Sequence, residues 1–162
     1  MTERPEVGSA AIASPGSGQP DDAERRLPAS QDDRKVALAK AVLIVEDDYL
    51  IAMEAESALV DAGYTVSGTA ATAEEAVGLA RQHRPSIVVM DIRLAGRRDG
   101  IDAAGDLFRE FGLRCLFASA HDDQATRTRA EPFEPLGWLS KPYTMASLVL
   151  LVGQAMRSVQ AD

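Results

Sequence analysis

The clearest indication of the fold class comes from Val42-Leu43-Ile44-Val45-Glu46-Asp47-Asp48. Four apolar residues run directly into three carboxylates, a pattern typical of a strand that is buried on both faces and ends at a polar edge. Ile87-Val88-Val89-Met90 ends in the same way at Asp91, and Cys115-Leu116-Phe117-Ala118 ends at Ser119. We therefore predict several parallel strands that carry polar side chains at their carboxyl ends.

Helical patterns separate these strands. Apolar side chains recur at the spacing of one helix face over 51–62, 73–80, 101–111 and 145–156. Tyr64-Thr65-Val66-Ser67 alternates between apolar and polar residues, as an edge strand does. Strands that alternate with helices are joined by right-handed crossovers. The predicted class is therefore α/β, with a doubly wound parallel sheet.

The segment that follows the fourth strand departs from this regularity. Residues 122–131 offer only two apolar positions, both of them alanine. Pro132 and Pro135 come next, and proline interrupts a helix because it lacks the backbone donor. We expect a short helix there, followed by a loop over 131–136.

Composition restricts the class of protein. The chain has 162 residues, 46% of them apolar, and a formal net charge of -8. An acidic surface disfavours binding to nucleic acid and to anionic membranes, because both partners require a basic face. The single cysteine, Cys115, excludes an internal disulfide and favours a reducing compartment. No apolar run reaches the ~18 residues of a membrane span, and we predict a cytoplasmic protein.

The chain divides near residue 40. Residues 1–40 contain four of the eight prolines and no aromatic residue. Such a segment cannot bury enough apolar surface to offset the conformational entropy lost on ordering. We predict a disordered tail over 1–40, with at most a short helix from Asp32 to Lys40, and a folded domain over 41–158.

The polar side chains at the strand ends converge in this fold, because an open α/β sheet binds ligands beyond the carboxyl ends of its strands. Glu46, Asp47, Asp91 and Ser119 follow three strands, and Lys141 follows a short fifth one. Each residue alone has an ordinary interpretation as a capping acid or a solvated charge. Together, the carboxylates require a cation, and oxygen ligands without histidine or cysteine favour Mg²⁺. An aspartate in such a site is suited to attack phosphorus.

Four segments together resemble the receiver domain of two-component response regulators. They are AVLIVEDD at 41–48, VVMDIRL at 88–94, LFASA at 116–120 and WLSKPY at 138–143. The resemblance extends over residues 41–158. It implies a flavodoxin-like sheet of five parallel strands in the order 2-1-3-4-5.

The resemblance also implies roles for the acidic residues. Asp91 would be the phospho-acceptor, which receives a phosphoryl group from a histidine kinase or a phosphotransfer protein. Glu46 and Asp47 would hold Mg²⁺ together with Asp91 and the backbone carbonyl of Arg93. His121 and Arg93 occupy positions that tune the lifetime of the phosphoryl group in such domains.

Three further residues match the parts of a receiver that respond to phosphorylation. Ser119 would be the switch hydroxyl, and Lys141 would contact the phosphoryl group. Trp138 stands where a smaller aromatic residue usually switches between buried and exposed positions. The Lys141–Pro142 bond resembles one that receivers hold in the cis form.

The end of the chain at Asp162 leads us to expect a stand-alone receiver without an output domain. Its output would be binding to a downstream protein, onward phosphotransfer or drainage of phosphate. The alternative is a pseudo-receiver, an adaptor that works without phosphorylation. A phosphatase of the haloacid-dehalogenase type is disfavoured, because Arg93 stands where that family places its acid. Arg97 and Arg98, in the loop before the third helix, are expected to be solvated.

Overall fold

The computed structural model describes residues 30–38, 40–120 and 123–162. A helix, α1, precedes five strands, each of which is followed by a helix. The elements are α1 (Gln31–Leu38), β1 (Ala41–Val45), α2 (Tyr49–Asp61), β2 (Thr65–Ala70), α3 (Ala73–His83), β3 (Ile87–Asp91), α4 (Gly100–Phe111), β4 (Cys115–Ser119), α5 (Gln124–Ala130), β5 (Gly137–Ser140) and α6 (Met145–Ala161).

All five strands form one parallel sheet in the order β2-β1-β3-β4-β5. The predicted α/β class and strand order are confirmed. The sequence order reverses between β1 and β3, and this reversal opens a crevice at the carboxyl ends of the two strands. Glu46 follows β1 and Asp91 ends β3, so both lie at that crevice.

The core lies on both faces of the sheet. Every residue of β1, β3 and β4 is buried, which explains why these strands are apolar without alternation, except for Asp91 and Ser119 at the carboxyl ends of β3 and β4. The two layers of core side chains are built around Leu43, Val88, Met90 and Phe117 on one face and around Ile44, Ile87, Val89 and Leu116 on the other. Cys115 belongs to the first layer, and its burial raises the pKa of the thiol.

Helix boundaries follow the capping residues that the sequence contains. Thr72 begins α3 by accepting a hydrogen bond from the Glu75 backbone N–H. The Glu75 carboxylate accepts from the Ala71 N–H, one residue earlier than in a standard capping box. Gly63 follows the end of α2 with φ +89°, a conformation that glycine adopts without steric cost.

The segment after β4 contains more helix than we expected. A seven-residue helix, α5, runs directly into a 3-10 turn over Glu131–Phe133, where the sequence predicted a loop. Pro132 is compatible with this turn, because it lies within the first turn, where a helix does not need its backbone donor. His121 lies outside the described residues.

The two arginines in the loop before α4 have different surroundings. Arg98 is not simply solvated: its guanidinium pairs with Asp106 on α4 and lies 3.8 Å from Glu74 on α3. Arg97 is exposed, as expected.

Most of the predicted tail, residues 1–29 and 39, lies outside the described residues, while 31–38 form α1. No helix in the described ranges combines the length and the apolar character needed to cross a bilayer.

Candidate functional site

Three carboxylates meet at the crevice between β1 and β3. Glu46, Asp47 and Asp91 each offer an oxygen atom, and these atoms lie within 4.8 Å of one another. Glu46 and Asp91 are buried, whereas Asp47 is exposed. Two carboxylates on buried strand ends and a third at the rim form a cluster that is open to solvent on one side.

A lysine that directly follows β5 neutralises part of this cluster. The Lys141 ammonium lies 3.1 Å from Glu46 Oε2 and 3.2 Å from Asp91 Oδ2. Burial alone would lower the pKa of Lys141, but the charges and hydrogen bonds of Asp91 and Glu46 outweigh it and raise the pKa. Lys141 therefore stays protonated and joins the two buried carboxylates.

Glu46 is the carboxylate most affected by its surroundings. Burial raises its pKa to about 7, and the charge of Asp91 acts in the same direction. The Asp48 backbone N–H, 3.1 Å from Glu46 Oε1, and the nearby Lys141 oppose this rise. A further cation at the cluster would favour the ionised form of Glu46.

The backbone that follows Asp91 is held by close contacts. The Arg93 N–H donates to Asp91 Oδ1 at 3.3 Å, and the Gly100 N–H donates to the Ile92 carbonyl at 2.7 Å. Asp99 caps α4 at the same point through a capping box with Asp102. A Cβ atom on Gly100 would lie 2.0 Å from the Asp91 carbonyl oxygen, so only glycine allows α4 to start this close to the site.

A cavity of about 350 Å³ adjoins the Asp91 carboxylate. Ser119, Lys141 and Thr126 are among the residues that line it. Ser119 is buried at the end of β4, and the backbone N–H of Lys141 donates to its carbonyl at 2.9 Å. The cavity therefore brings together the carboxylate, hydroxyl and ammonium that the sequence placed at three different strand ends.

Trp138 lies outside this cavity. Its ring stacks on Phe117 with a centroid distance of 4.9 Å and an interplanar angle of 22°. The side chain is half-buried on β5, an edge strand. The bond from Lys141 to Pro142 is cis, as the resemblance implied.

The carboxylate cluster fits a magnesium ion. Oxygen atoms bound to one Mg²⁺ lie at roughly 2.0–2.1 Å from it and therefore within about 4.2 Å of one another, close to the observed 4.8 Å spread. Glu46, Asp47 and Asp91 would hold the ion. The Arg93 carbonyl as a further ligand stays a prediction.

A family model described as the response regulator receiver domain matches residues 42–152. The chain belongs to this family. Receiver domains are signalling domains rather than conventional enzymes, and they generally hold Mg²⁺ at an acidic pocket.

Curated relatives of this receiver include two longer proteins. The chain is 34% identical to the transcriptional regulatory protein PdtaR of Mycobacterium tuberculosis over 117 residues, which are 72% of this chain and 57% of PdtaR. It is 35% identical to the phyllosphere-induced regulator PhyR of Methylorubrum extorquens over 120 residues, which are 74% of this chain and 44% of PhyR. The chain thus spans about half the length of these relatives.

Solved structures agree with this assignment. The signal receiver domain of a modulated diguanylate cyclase from Desulfovibrio desulfuricans is 35% identical, with a TM-score of 0.68, and the match covers 75% of this receiver and 96% of that chain. The receiver domain of PhyR from Erythrobacter litoralis is 30% identical, with a TM-score of 0.65, and the match covers 73% and 90%.

Sequence reasoning missed two residues of this receiver's site. Gly100 belongs to an Asp-Gly pair that marks a turn, but the sequence does not reveal how closely the backbone of Asp91 approaches it. Thr126 lies in a segment without apolar periodicity, and its place on the cavity wall follows from the position of α5, which no pattern predicts.

Proposed function

We propose that this receiver accepts a phosphoryl group on Asp91 in a Mg²⁺-dependent reaction. The observation that carries the proposal is the buried Asp91 carboxylate, which is held by Lys141 and opens onto a cavity lined by Ser119. The cavity volume, about 350 Å³, leaves room for a phosphoryl group.

The proposed step is a direct transfer between two nucleophiles. An oxygen atom of Asp91 attacks phosphorus, an acyl phosphate bond forms, and the bond from phosphorus to the donor's histidine nitrogen breaks. The electron pair of that bond stays on the nitrogen. The ion supplies positive charge to the transferring phosphoryl oxygens when it is bound.

The other residues of the cavity assist this step. The Lys141 ammonium, 3.2 Å from Asp91 Oδ2, is placed to interact with a phosphoryl oxygen and to compensate its charge. The Ser119 hydroxyl donates a hydrogen bond to another phosphoryl oxygen. The α4 start at Gly100 keeps the Asp91 backbone in place during the transfer.

Intact-mass analysis after incubation with acetyl phosphate and Mg²⁺ tests the proposal. We expect one added phosphoryl group on the wild type and none on Asp91→Asn, which keeps the shape of the side chain but lacks the nucleophile. Chelation of Mg²⁺ removes the adduct. If neither protein gains a phosphoryl group at any time point and beryllofluoride with Mg²⁺ leaves the Trp138 fluorescence unchanged, the pseudo-receiver adaptor is the correct assignment; a fluorescence response would instead mean a live site whose phosphoryl group hydrolyses quickly.

An apolar stripe on α2 supports a protein as the phosphoryl donor. Tyr49, Leu50, Met53 and Val60 are large apolar side chains that α2 exposes, and Leu50 is 63% exposed. The stripe begins directly after Asp47 and Asp48, beside the carboxylate cluster. A donor protein that packs on the stripe brings its phosphohistidine to Asp91, so we propose a sensor histidine kinase or a phosphotransfer protein as the partner.

Leu50→Glu tests the contact with a protein donor separately from the phosphorylation chemistry at Asp91. Removing an apolar contact and adding a charge at the stripe weakens an interface by about 2 kcal/mol or more, so we expect at least ten-fold slower transfer from a purified histidine kinase of the source organism. Labelling by acetyl phosphate stays at the wild-type rate.

The matched control for this test is Leu150→Glu, which changes an equally exposed leucine on α6. It should leave kinase transfer unchanged. Equal loss in both variants, or no loss in Leu50→Glu, would show that α2 does not contact the donor.

We propose that the output is binding to a protein. A variant of PhyR from Bartonella quintana, whose solved structure is 27% identical to this chain, is described as an anti-anti-sigma factor. This chain has a net charge of -8, which suits a protein partner with a basic surface better than nucleic acid.

A further inference from the structure

The cavity beside Asp91 is not lined by the sheet alone. Asp91, Ser119 and Lys141 border it at the carboxyl ends of three strands, whereas Thr126 borders it from helix α5. Thr126 is half-buried, and it brings a hydroxyl group to the same cavity of about 350 Å³ as the hydroxyl of Ser119. The site therefore has a second hydroxyl side chain, to which the proposed phosphorylation of Asp91 gives no role.

The Thr126 hydroxyl has no hydrogen-bond partner among the described residues. The backbone N–H of Thr126 is already engaged, because it donates to Asp123 Oδ1 at 2.8 Å. Thr128, two residues later, shows the arrangement that threonine commonly adopts in a helix, since its hydroxyl donates to the Gln124 carbonyl at 2.8 Å. A half-buried hydroxyl that lacks such a bond and borders a cavity is available to a polar group that enters the cavity.

Two arginines of α5 hold the helix that carries Thr126. The Arg129 guanidinium pairs with Asp99, the capping residue of α4, at 2.8 Å. The Arg127 guanidinium carbon lies 4.9 Å from the centre of the Trp138 ring on β5. Thr126 is thus placed at the cavity by contacts that do not use its own hydroxyl. A hydrogen-bonding group that is already in position contributes more than one that must first be ordered.

A phosphoryl group on Asp91 offers enough acceptors for this additional hydroxyl. It has three oxygen atoms outside the acyl bond, and these are strong hydrogen-bond acceptors. Under the proposed function, the Lys141 ammonium interacts with one of them and the Ser119 hydroxyl donates to another. Because the group is doubly charged and partly enclosed, each further donor at the cavity stabilises it more than the same donor in water would.

We propose that Thr126 is a second hydroxyl donor to the phosphoryl group on Asp91, in addition to Ser119. The inference rests on the proposed function, because Asp91 must first take up the phosphoryl group. A hydrogen bond to a charged acceptor changes a binding constant by about ten-fold or more. Thr126 therefore contributes directly to how tightly the cavity holds the group.

Binding of beryllofluoride, a phosphoryl mimic, tests this contact when it is followed by fluorine NMR on the full chain with Mg²⁺. Thr126→Val keeps the shape of the side chain but removes the hydroxyl, so half-saturation should require about ten-fold more beryllofluoride. Thr126→Ser keeps the hydroxyl and should bind nearly as tightly as the wild type. Wild-type affinity in Thr126→Val, or equally weak binding by both variants, would overturn the inference.

The matched control is Thr128→Val, the same substitution on the same helix at an exposed residue whose hydroxyl bonds within α5. It should leave the affinity unchanged, and a loss equal to that of Thr126→Val would overturn the inference. Far-ultraviolet circular dichroism establishes that each variant is folded.

Asp91→Asn distinguishes a failure of the inference from a failure of the proposed function. If the wild type binds no more beryllofluoride than Asp91→Asn, both fail. If the wild type binds it, Asp91→Asn does not, and Thr126→Val binds like the wild type, the proposed function stands and the role of Thr126 fails.

Discussion

Gly100→Ala should lower the free energy of unfolding by about 3 kcal/mol, because the new methyl group has no space. Its Cβ would lie 2.0 Å from the carbonyl oxygen of Asp91 and 2.9 Å from the Cα of Ile92. Both contacts are with backbone atoms, so no side chain can rotate away to relieve them. The start of α4 must move, and the hydrogen bond from the Gly100 N–H to Ile92 is lost with it.

Urea unfolding followed by circular dichroism measures this effect. Gly78→Ala is the matched control, because Gly78 lies within α3 and a Cβ there meets nothing within 4 Å. That variant should be more stable than the wild type by up to about 1 kcal/mol, since alanine favours the helix. A Gly100→Ala variant within about 1 kcal/mol of the wild type would mean that α4 does not approach Asp91 as described.

Lys141→Met should slow phosphorylation by acetyl phosphate about 100-fold. The ammonium that lies 3.2 Å from Asp91 Oδ2 is the positive side chain at the cavity best placed to compensate the charge on the transferring group. Removing one preorganised charged donor from such a site costs a factor of roughly 10²–10³ in rate. Methionine keeps much of the volume of the lysine side chain, so the decrease in phosphorylation rate reports on the lost charge rather than on altered packing.

The same variant should be less stable when Mg²⁺ is chelated. Glu46 and Asp91 then face each other in a buried position without their shared cation. Because Lys141 is partly exposed, we expect a loss of about 2 kcal/mol rather than the 3–5 kcal/mol of a fully buried pair. Addition of Mg²⁺ should restore part of the lost free energy of unfolding.

Lys40→Met provides the comparison for both measurements. Lys40 is exposed at the turn before β1, and its backbone carbonyl accepts a hydrogen bond from the Thr65 N–H. The substitution removes the same charge far from the carboxylates. If both lysine variants react at the same rate, general charge effects rather than a contact with the phosphoryl group explain the result.

The strands and their carboxyl ends could be predicted from the sequence because burial on both faces leaves a local pattern. Val42 to Val45 and Ile87 to Met90 are apolar without interruption, and the residues that follow them are the site. Strand order came from the resemblance, since periodicity does not reveal which strands are neighbours.

The contacts around α5 could not be predicted in this way. Arg127 and Arg129 stand in a polar segment that resembles a solvated helix. Their partners, Trp138 and Asp99, are fixed by the packing of α5 against β5 and α4, which depends on the whole fold. The pairing of Arg98 with Asp106 escaped prediction for the same reason.

The hydrogen bond between Lys141 and Glu46 joins residues 95 positions apart in the chain. Glu46 emerges from the ribosome early, whereas Lys141 follows the last strand to be synthesised. A nascent chain therefore lacks the complete cluster until β5 has been added at the edge of the sheet. Under the proposed function, a chain that lacks Lys141 would lack the ammonium that contacts Asp91, so only a domain with all five strands in place would accept a phosphoryl group efficiently.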